Sequence, residues 1–349
     1  MFATLPDVLR LLVVPVFLWA AVRDVRTRRL PNRLWPPLYA FGALLLLMEA
    51  VRFAPFAGFE GRLFLVQTLI SLFLVAPLGY AFWYLGAFGG ADAKALIAIT
   101  VLFPTFPAYE IAGMSLPYVE TVVGVFSLTV LTNTVLIGLA YPIGLALYNL
   151  TTGERSTTMF LARPVSTPSV SERHGRLFED TSGTTRSGLD LDAFRMYLRW
   201  RGVTLADLRA DPDALRDPES VTETFEPTDG GTHVGPATDG GEPADGGEDA
   251  DGNEDADGDE PATDGDKPVS DDVAASETFA DPWAAERFLA EIDHGAYGTD
   301  AETLREGLEV VASRESIMVS PGMPFVVPMA AGLIVSLSYG DALFALLAV

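Results

Sequence analysis

Among the first 150 residues of this 349-residue chain only three are aspartates, Asp7, Asp24 and Asp92. Each adjoins an apolar run, where an ionisable side chain is costly and tends to be functional. Asp24 closes the first run and Asp92 opens the fourth. Two aspartates on one membrane face can share one proton when brought together. One then activates water while the other donates a hydrogen bond to a carbonyl oxygen. This is aspartic-protease chemistry, and it needs no metal, histidine or cysteine. The chain has no cysteine, which excludes disulfides, thiolate zinc sites, iron–sulfur clusters and cysteine nucleophiles. His174, His233 and His294 lie far apart in polar sequence, so neither a histidine-built metal centre nor an intramembrane Ser–His dyad is expected. No cofactor or metal is implied. On position alone another account stays open: Asp24 as one charge in an arginine-rich loop, and Asp92 as a helix N-cap.

The elements that must position these residues follow from composition. Hydrophobic residues make up 49% of the chain and mean hydropathy is +0.27, yet the net charge is −24. Such values belong to two populations in one chain. Residues Thr222–Asp272 hold eighteen acidic residues against Lys267 alone, with much Gly, Pro and Thr, and cannot bury enough surface to fold. The remainder is strongly apolar. The expected fold is an all-α polytopic membrane protein with about six transmembrane helices and a cytoplasmic, partly disordered acidic insert before the last helix. A spanning helix needs about 20 apolar residues. The candidate spans are Leu5–Val22, Leu34–Val51, Leu63–Tyr84, Ala93–Phe103, Thr121–Leu150 and Phe325–Val349. The fourth is short and spans only if it continues, kinked at Pro104 and Pro107, toward Met114. Residues 1–150 thus form a five-span membrane core, 151–320 a cytoplasmic insert with an acidic tract at about 222–272, and 321–349 a sixth helix.

Arg23, Arg26, Arg28, Arg29 and Arg33 follow the first span, which places that loop in the cytoplasm by the positive-inside rule. Parity then sends the Gly86–Lys94 loop and the 151–320 region to the same side, with both termini outside. Within the insert, Leu189–Arg209 and Pro282–Ser313 each read as a short amphipathic helix. The chain carries two lysines, Lys94 and Lys267, and abundant acid, a balance suited to high salt, where charge is screened within a few ångströms. The run Asp249–Glu260 looks superficially like a calcium loop, but Glu254 stands where its glycine must be. Asn133, within the fifth span, reads as a helix–helix hydrogen bond.

Two segments resemble the signatures of the type IV prepilin and preflagellin peptidases. The first is Asp24-Val-Arg-Thr-Arg-Arg-Leu-Pro31-Asn32, where an aspartate ends a membrane helix and precedes a basic turn closing in Pro-Asn. The second is Gly89-Gly90-Ala91-Asp92-Ala93-Lys94, similar to a Gly-x-Gly-Asp motif followed by lysine, with Ala91 in place of the second glycine. The resemblance covers the 1–150 core, and the absence of cysteine points to the archaeal branch. It implies a membrane aspartic endopeptidase with Asp24 and Asp92 as its catalytic pair and Gly89, Gly90, Lys94, Pro31 and Asn32 in support. Lys94 and the arginines after Asp24 are expected to bring positive charge beside the pair. The implied substrates are pilin-like or archaellin-like precursors, cut after a short basic leader at the cytoplasmic face of the cell membrane. The implied surroundings are the lipid bilayer, with no nucleic acid; the long acidic insert departs from the minimal family pattern.

Two other classes compete. A presenilin-like protease would share the Gly-x-Gly-Asp logic, but its first aspartate would sit within a span, not before five arginines and Pro-Asn. A transporter or inert scaffold would use the carboxylates for proton relay or packing, and a relay favours mid-membrane positions rather than span ends.

Overall fold

The computed structural model describes residues 3–85, 88–111, 113–153, 155–228, 230–232, 280–292 and 295–347. The chain divides into two compact units, Met1–Glu154 with Met323–Val349, and Arg155–Gly322.

The first unit opens with α1 (Leu5–Arg10), whose start is capped by the Thr4 hydroxyl accepting from the Asp7 amide, and α2 (Val13–Thr27). Helix α2 stops at Arg28, which takes a left-handed conformation (φ 56°) and returns its amide to the Asp24 carbonyl at 2.9 Å. A 3-10 turn at Asn32–Leu34 leads into α3 (Trp35–Phe53), with Pro36 and Pro37 in the first turn, where their missing amides are not needed. Next come α4 (Gly58–Ile70), a π-helical turn at Ser71–Val75, and α5 (Ala76–Tyr84). The Ser71 hydroxyl in that turn meets the Thr100 carbonyl at 2.8 Å and the Ser127 hydroxyl at 2.7 Å. Helix α6 (Gly90–Leu102) is followed by a hairpin of β1 (Tyr109–Ile111) and β2 (Met114–Leu116), then by α7 (Phe126–Gly138) and α8 (Ala140–Thr152).

The second unit holds β3 (Arg163–Ser166), β4 (Arg176–Leu177), α9 (Leu191–Arg201), α10 (Leu205–Ala210), α11 (Pro212–Arg216), α12 (Ala285–Glu291), α13 (Ala301–Ser313) and β5 (Ser316–Ser320). Its strands form an antiparallel sheet in the order β3-β5-β4. Its own core includes Phe194, Tyr197, Trp200, Trp283, Phe288 and Leu308. The first unit then resumes with α14 (Val326–Ser338) and α15 (Ala342–Leu347).

The structure is mostly helical, and among the described residues four helical stretches are long and apolar enough to cross a membrane: Leu5–Thr27, Asn32–Phe53, Gly58–Tyr84 and Phe126–Thr152. Only 28–33% of the most apolar part of each is buried, which leaves an apolar outer face of the kind lipid would cover. Three features differ from the all-α, six-span expectation. Helix α6 ends at Leu102, because Phe103 leaves helical geometry (φ −132°, ψ 60°) ahead of Pro104, and the continuation toward Met114 is the β1–β2 hairpin. The last apolar stretch is two helices rather than one, broken at Gly340, whose φ of 99° no helix accepts. The β3-β5-β4 sheet belongs to the region read as helices alone.

At thirteen residues, α6 is about 20 Å long, shorter than the roughly 30 Å of a bilayer core. It is instead walled by protein: Ala93, Ala95, Leu96, Ala98, Ile99, Thr100 and Leu102 are all buried. Gly42 of α3 and Gly79 of α5 let their helices approach it; a Cβ added there would meet Leu102 at 3.1 Å and Leu96 at 3.2 Å.

In the second unit, Gly202 ends α9 in a left-handed turn, so the Leu189–Arg209 segment is two helices. Pro282–Ser313 likewise divides into α12 and α13. Residues 222–228 and 230–232, at the head of the acidic tract, run along α9. The Phe225 amide donates to the Trp200 carbonyl at 2.8 Å, and the Arg199 guanidinium donates to the Glu226 carbonyl at 3.1 Å. Residues 233–272 of the tract, with His233, Lys267 and the Asp249–Glu260 run, lie outside the described residues, as does His294.

The most heavily buried charge is Arg10, with no exposed surface. It donates to Glu49 at 2.6 and 2.8 Å, to Asp7 at 2.8 Å and to the Leu102 carbonyl at 2.7 Å. Removing one partner from such a group costs about 3–5 kcal/mol. Glu49→Ala should therefore lower the unfolding free energy of the detergent-solubilised protein by about that amount. A surface Glu60→Ala control should be near neutral in the same denaturation titration.

Candidate functional site

Asp24 lies in the last turn of α2 and Asp92 is the third residue of α6, so an outgoing helix end and an incoming helix start carry the two carboxyl groups. Asp24 is 7% exposed and its Oδ2 has no hydrogen-bond partner, whereas Asp92 is half-buried. The two carboxyl groups are within electrostatic reach of each other, and the Arg28 guanidinium is within reach of both. The left-handed turn at Arg28 bends the chain back at the helix end that carries Asp24. The start of α14, at Val326, is within electrostatic reach of both carboxyl groups.

Asp92 is not the N-cap of α6. Gly89 holds that place, and the Asp92 Oδ2 reaches back to accept the Gly89 amide at 3.1 Å. This fixes one carboxyl oxygen as the acceptor end of a cap and favours negative charge at the helix start. Gly89 is extended (φ −67°, ψ 158°), and Ala91 lies inside the first helical turn, so the motif needs no left-handed residue here and alanine fits where glycine was expected. Gly90 is exposed, and a Cβ built on it would find only the Trp83 indole nitrogen, at 3.8 Å. The backbone there is open to an approaching chain.

Of the other singled-out residues, Lys94 and Asn32 come together: the Lys94 Nζ donates to the Asn32 Oδ1 at 2.7 Å. The Tyr39 hydroxyl adds a bond to the Lys94 carbonyl at 3.1 Å. Lys94 thus ties the start of α6 to the turn after Pro31, and the cation facing the carboxyl pair is Arg28. Pro31 is extended (φ −66°, ψ 137°) and its carbonyl accepts the Leu34 amide at 3.1 Å, which shapes the 3-10 turn that presents Asn32.

Asp24 and Asp92 thus stand within electrostatic reach of each other at one end of an apolar helical unit. Residues 11–143, which contain both aspartates, match the type IV leader peptidase family. The same part of the chain is similar to two curated relatives named preflagellin peptidase. One, from Methanococcus maripaludis (strain C6 / ATCC BAA-1332), is 27% identical over 143 residues, 40% of this chain and 57% of the relative. The other, from Methanococcus voltae, is 30% identical over 138 residues, 38% of this chain and 54% of the relative. The chain spans little more than half the length of the curated relatives it matches.

The Lys94–Asn32 bond is solvent-exposed, so its contribution is modest. Asn32→Ala and Lys94→Met should each cost about 0.5–1 kcal/mol, and the double variant no more than the larger single one. A double-mutant cycle on thermal unfolding checks this, and strict additivity would contradict the pairing.

Proposed function

We propose that this chain is a membrane aspartic endopeptidase that removes the short basic leader of prepilin- or preflagellin-type (archaellin-like) precursors. The observation that carries the reading is the meeting of Asp24 and Asp92 at one end of the first unit, within a segment similar to the leader peptidase family. The site lies at the cytoplasmic face of the cell membrane, where the arginine-rich turn after α2 also belongs. Six passes are proposed, with α6 and α14 as the fourth and sixth, short because neighbouring helices rather than lipid surround much of them. Residues 151–320 form the cytoplasmic insert.

The chemistry needs only the two acids. The ionised aspartate takes a proton from a water whose oxygen attacks the scissile carbonyl carbon. The protonated partner donates to the carbonyl oxygen. In the second step the first aspartate delivers its proton to the departing amine as the C–N bond breaks, and the second recovers its own as the new carboxyl group forms. One water is consumed, and the dyad returns with one proton. Gly89 and Gly90 leave backbone room for the extended leader, while Arg28 and the amides near the dyad balance its negative charge. The substrate's apolar helix packs against the outer helices in the bilayer.

The test is cleavage, in membranes at high salt, of a precursor whose basic leader ends in glycine ahead of an apolar helix. Asp24→Asn and Asp92→Asn should each insert normally and lower the turnover rate by about a thousandfold or more. Wild-type processing by either variant would reject the dyad in favour of a transporter or scaffold.

A further inference from the structure

The last turns of α2 divide their side chains between two directions. Ala20, Ala21 and Asp24 are buried against the first unit's other helices. Trp19, Val22, Arg23 and Arg26 are exposed, on the side of the helix away from Asp24 that the 3.6-residue period gives them. The apolar stretch that ends here, Leu5–Thr27, has 23 residues, about 35 Å at 1.5 Å each. A bilayer holds roughly 30 Å of hydrocarbon, so the last turn of this stretch extends into the headgroup layer. Leu18, Trp19, Val22 and Val25 form an exposed apolar collar, and Arg23 and Arg26 stand at its edge.

Neither guanidinium is neutralised by an ion pair among the described residues. Arg23 uses its Nε on the Arg29 carbonyl at 3.3 Å and lies 5.6 Å from the centroid of the Trp19 ring. An arginine over an indole is attracted by the ring's negative face, which seats Arg23 on the collar. Arg26 has no hydrogen bond among the described residues. Asp24, the acid between them in sequence, is 7% exposed and lies on the buried side. Side chains three residues apart on a helix start about 5–6 Å from each other. Two guanidinium forks at that spacing can close on the oxygens of one phosphate. A free anion has no use for the collar below the arginines. A lipid does, because its acyl chains lie along the apolar residues while its phosphate sits at the level of the charges.

We propose that Trp19, Arg23 and Arg26, on the outward face of α2, bind the phosphate of an anionic membrane lipid. The site selects headgroups with net negative charge, since a zwitterionic headgroup brings a cation to the same arginines. The inference rests on the membrane placement of α2 and is independent of the chemistry of the aspartates.

The experiment titrates the detergent-solubilised full chain into phosphatidylglycerol labelled on its acyl chain and reads fluorescence anisotropy, with phosphatidylcholine bearing the same tail as the neutral comparison. Wild type should bind phosphatidylglycerol about tenfold more tightly or better. Arg26→Gln, which breaks no bond within the protein, should lose about fivefold of that affinity, and Arg23→Gln with Arg26→Gln should lose the preference altogether. Phosphatidylcholine binding should stay within about twofold in both. Arg52→Gln with Arg62→Gln removes the same charge from exposed positions beyond the far end of α3 and should leave the preference in place. An equal loss in that control, or a full preference in the Arg23 and Arg26 variant, would overturn the proposal in favour of diffuse charge. Displacement of the lipid by millimolar inorganic phosphate would overturn it in favour of a free-anion site. Asp24→Asn should keep the preference, so failure of the peptidase reading would show in precursor cleavage and leave this titration unchanged.

Discussion

The arrangement of the first unit hangs on Arg10. Taking a guanidinium out of water costs several kcal/mol even after relaxation, and that cost is recovered only where every donor finds a well-placed partner. Arg10 makes four such bonds, with Asp7 in its own helix, Glu49 in α3 and the carbonyl of Leu102 at the end of α6. The last bond matters most for the site. A cation at a helix C-terminus satisfies an orphan carbonyl and complements the helix dipole. It therefore anchors the far end of the helix whose opposite end carries Asp92. The Tyr109 hydroxyl adds a bond to the Asp7 carbonyl at 3.0 Å, joining the hairpin strand β1 to the same node. Asp92 sits at one end of α6, and the charge that locks the helix in place sits at the other.

Apolar packing alone would locate these helices weakly. Lipid tails are as apolar as leucine, so helix association in a bilayer relies on close approach and on buried polar bonds. Two further nodes supply them. Ser71 in the π turn bridges the Thr100 carbonyl and the Ser127 hydroxyl, which ties the third stretch to α6 and α7. Asn133 in α7 donates to the Ser336 hydroxyl and to the Gly340 carbonyl, both at 2.8 Å, and accepts the Ala342 amide at 3.0 Å. The Asn133 carboxamide thus satisfies the backbone where α14 gives way to α15, and Asp341 caps the break by accepting the Phe344 amide at 2.7 Å. A non-helical turn at this depth is tolerable because these side chains satisfy its polar groups.

What could be read from the sequence was what side chains declare locally. Asp24 with its arginine turn and Asp92 with its glycines stand out within a few residues of sequence, and the two lie within electrostatic reach of each other in the fold. The first three spans are legible because length and hydropathy suffice. The rest fails for identifiable reasons. The strands β1 and β2 are three residues each, too short for alternation to register above the surrounding apolar run. The break at Gly340 and the stop of α9 at Gly202 each turn on one left-handed glycine inside a pattern that otherwise continues. Lys94 reads as a charge for the dyad because it is near in sequence, yet its 2.7 Å partner is Asn32, across a turn whose path the sequence does not specify.

A long insertion separates α8 from α14 in the chain. Closing a flexible loop costs entropy that rises only with the logarithm of its length, so length alone is a small burden. The second unit lowers even that. Its first strand β3 and last strand β5 are antiparallel neighbours, with Arg163 opposite Val319 and Ser166 opposite Ser316. Residues near its entry and exit are therefore held at the separation of paired strands, about 5 Å. The strand order β3-β5-β4, with the unit's first strand beside its last, is the reason.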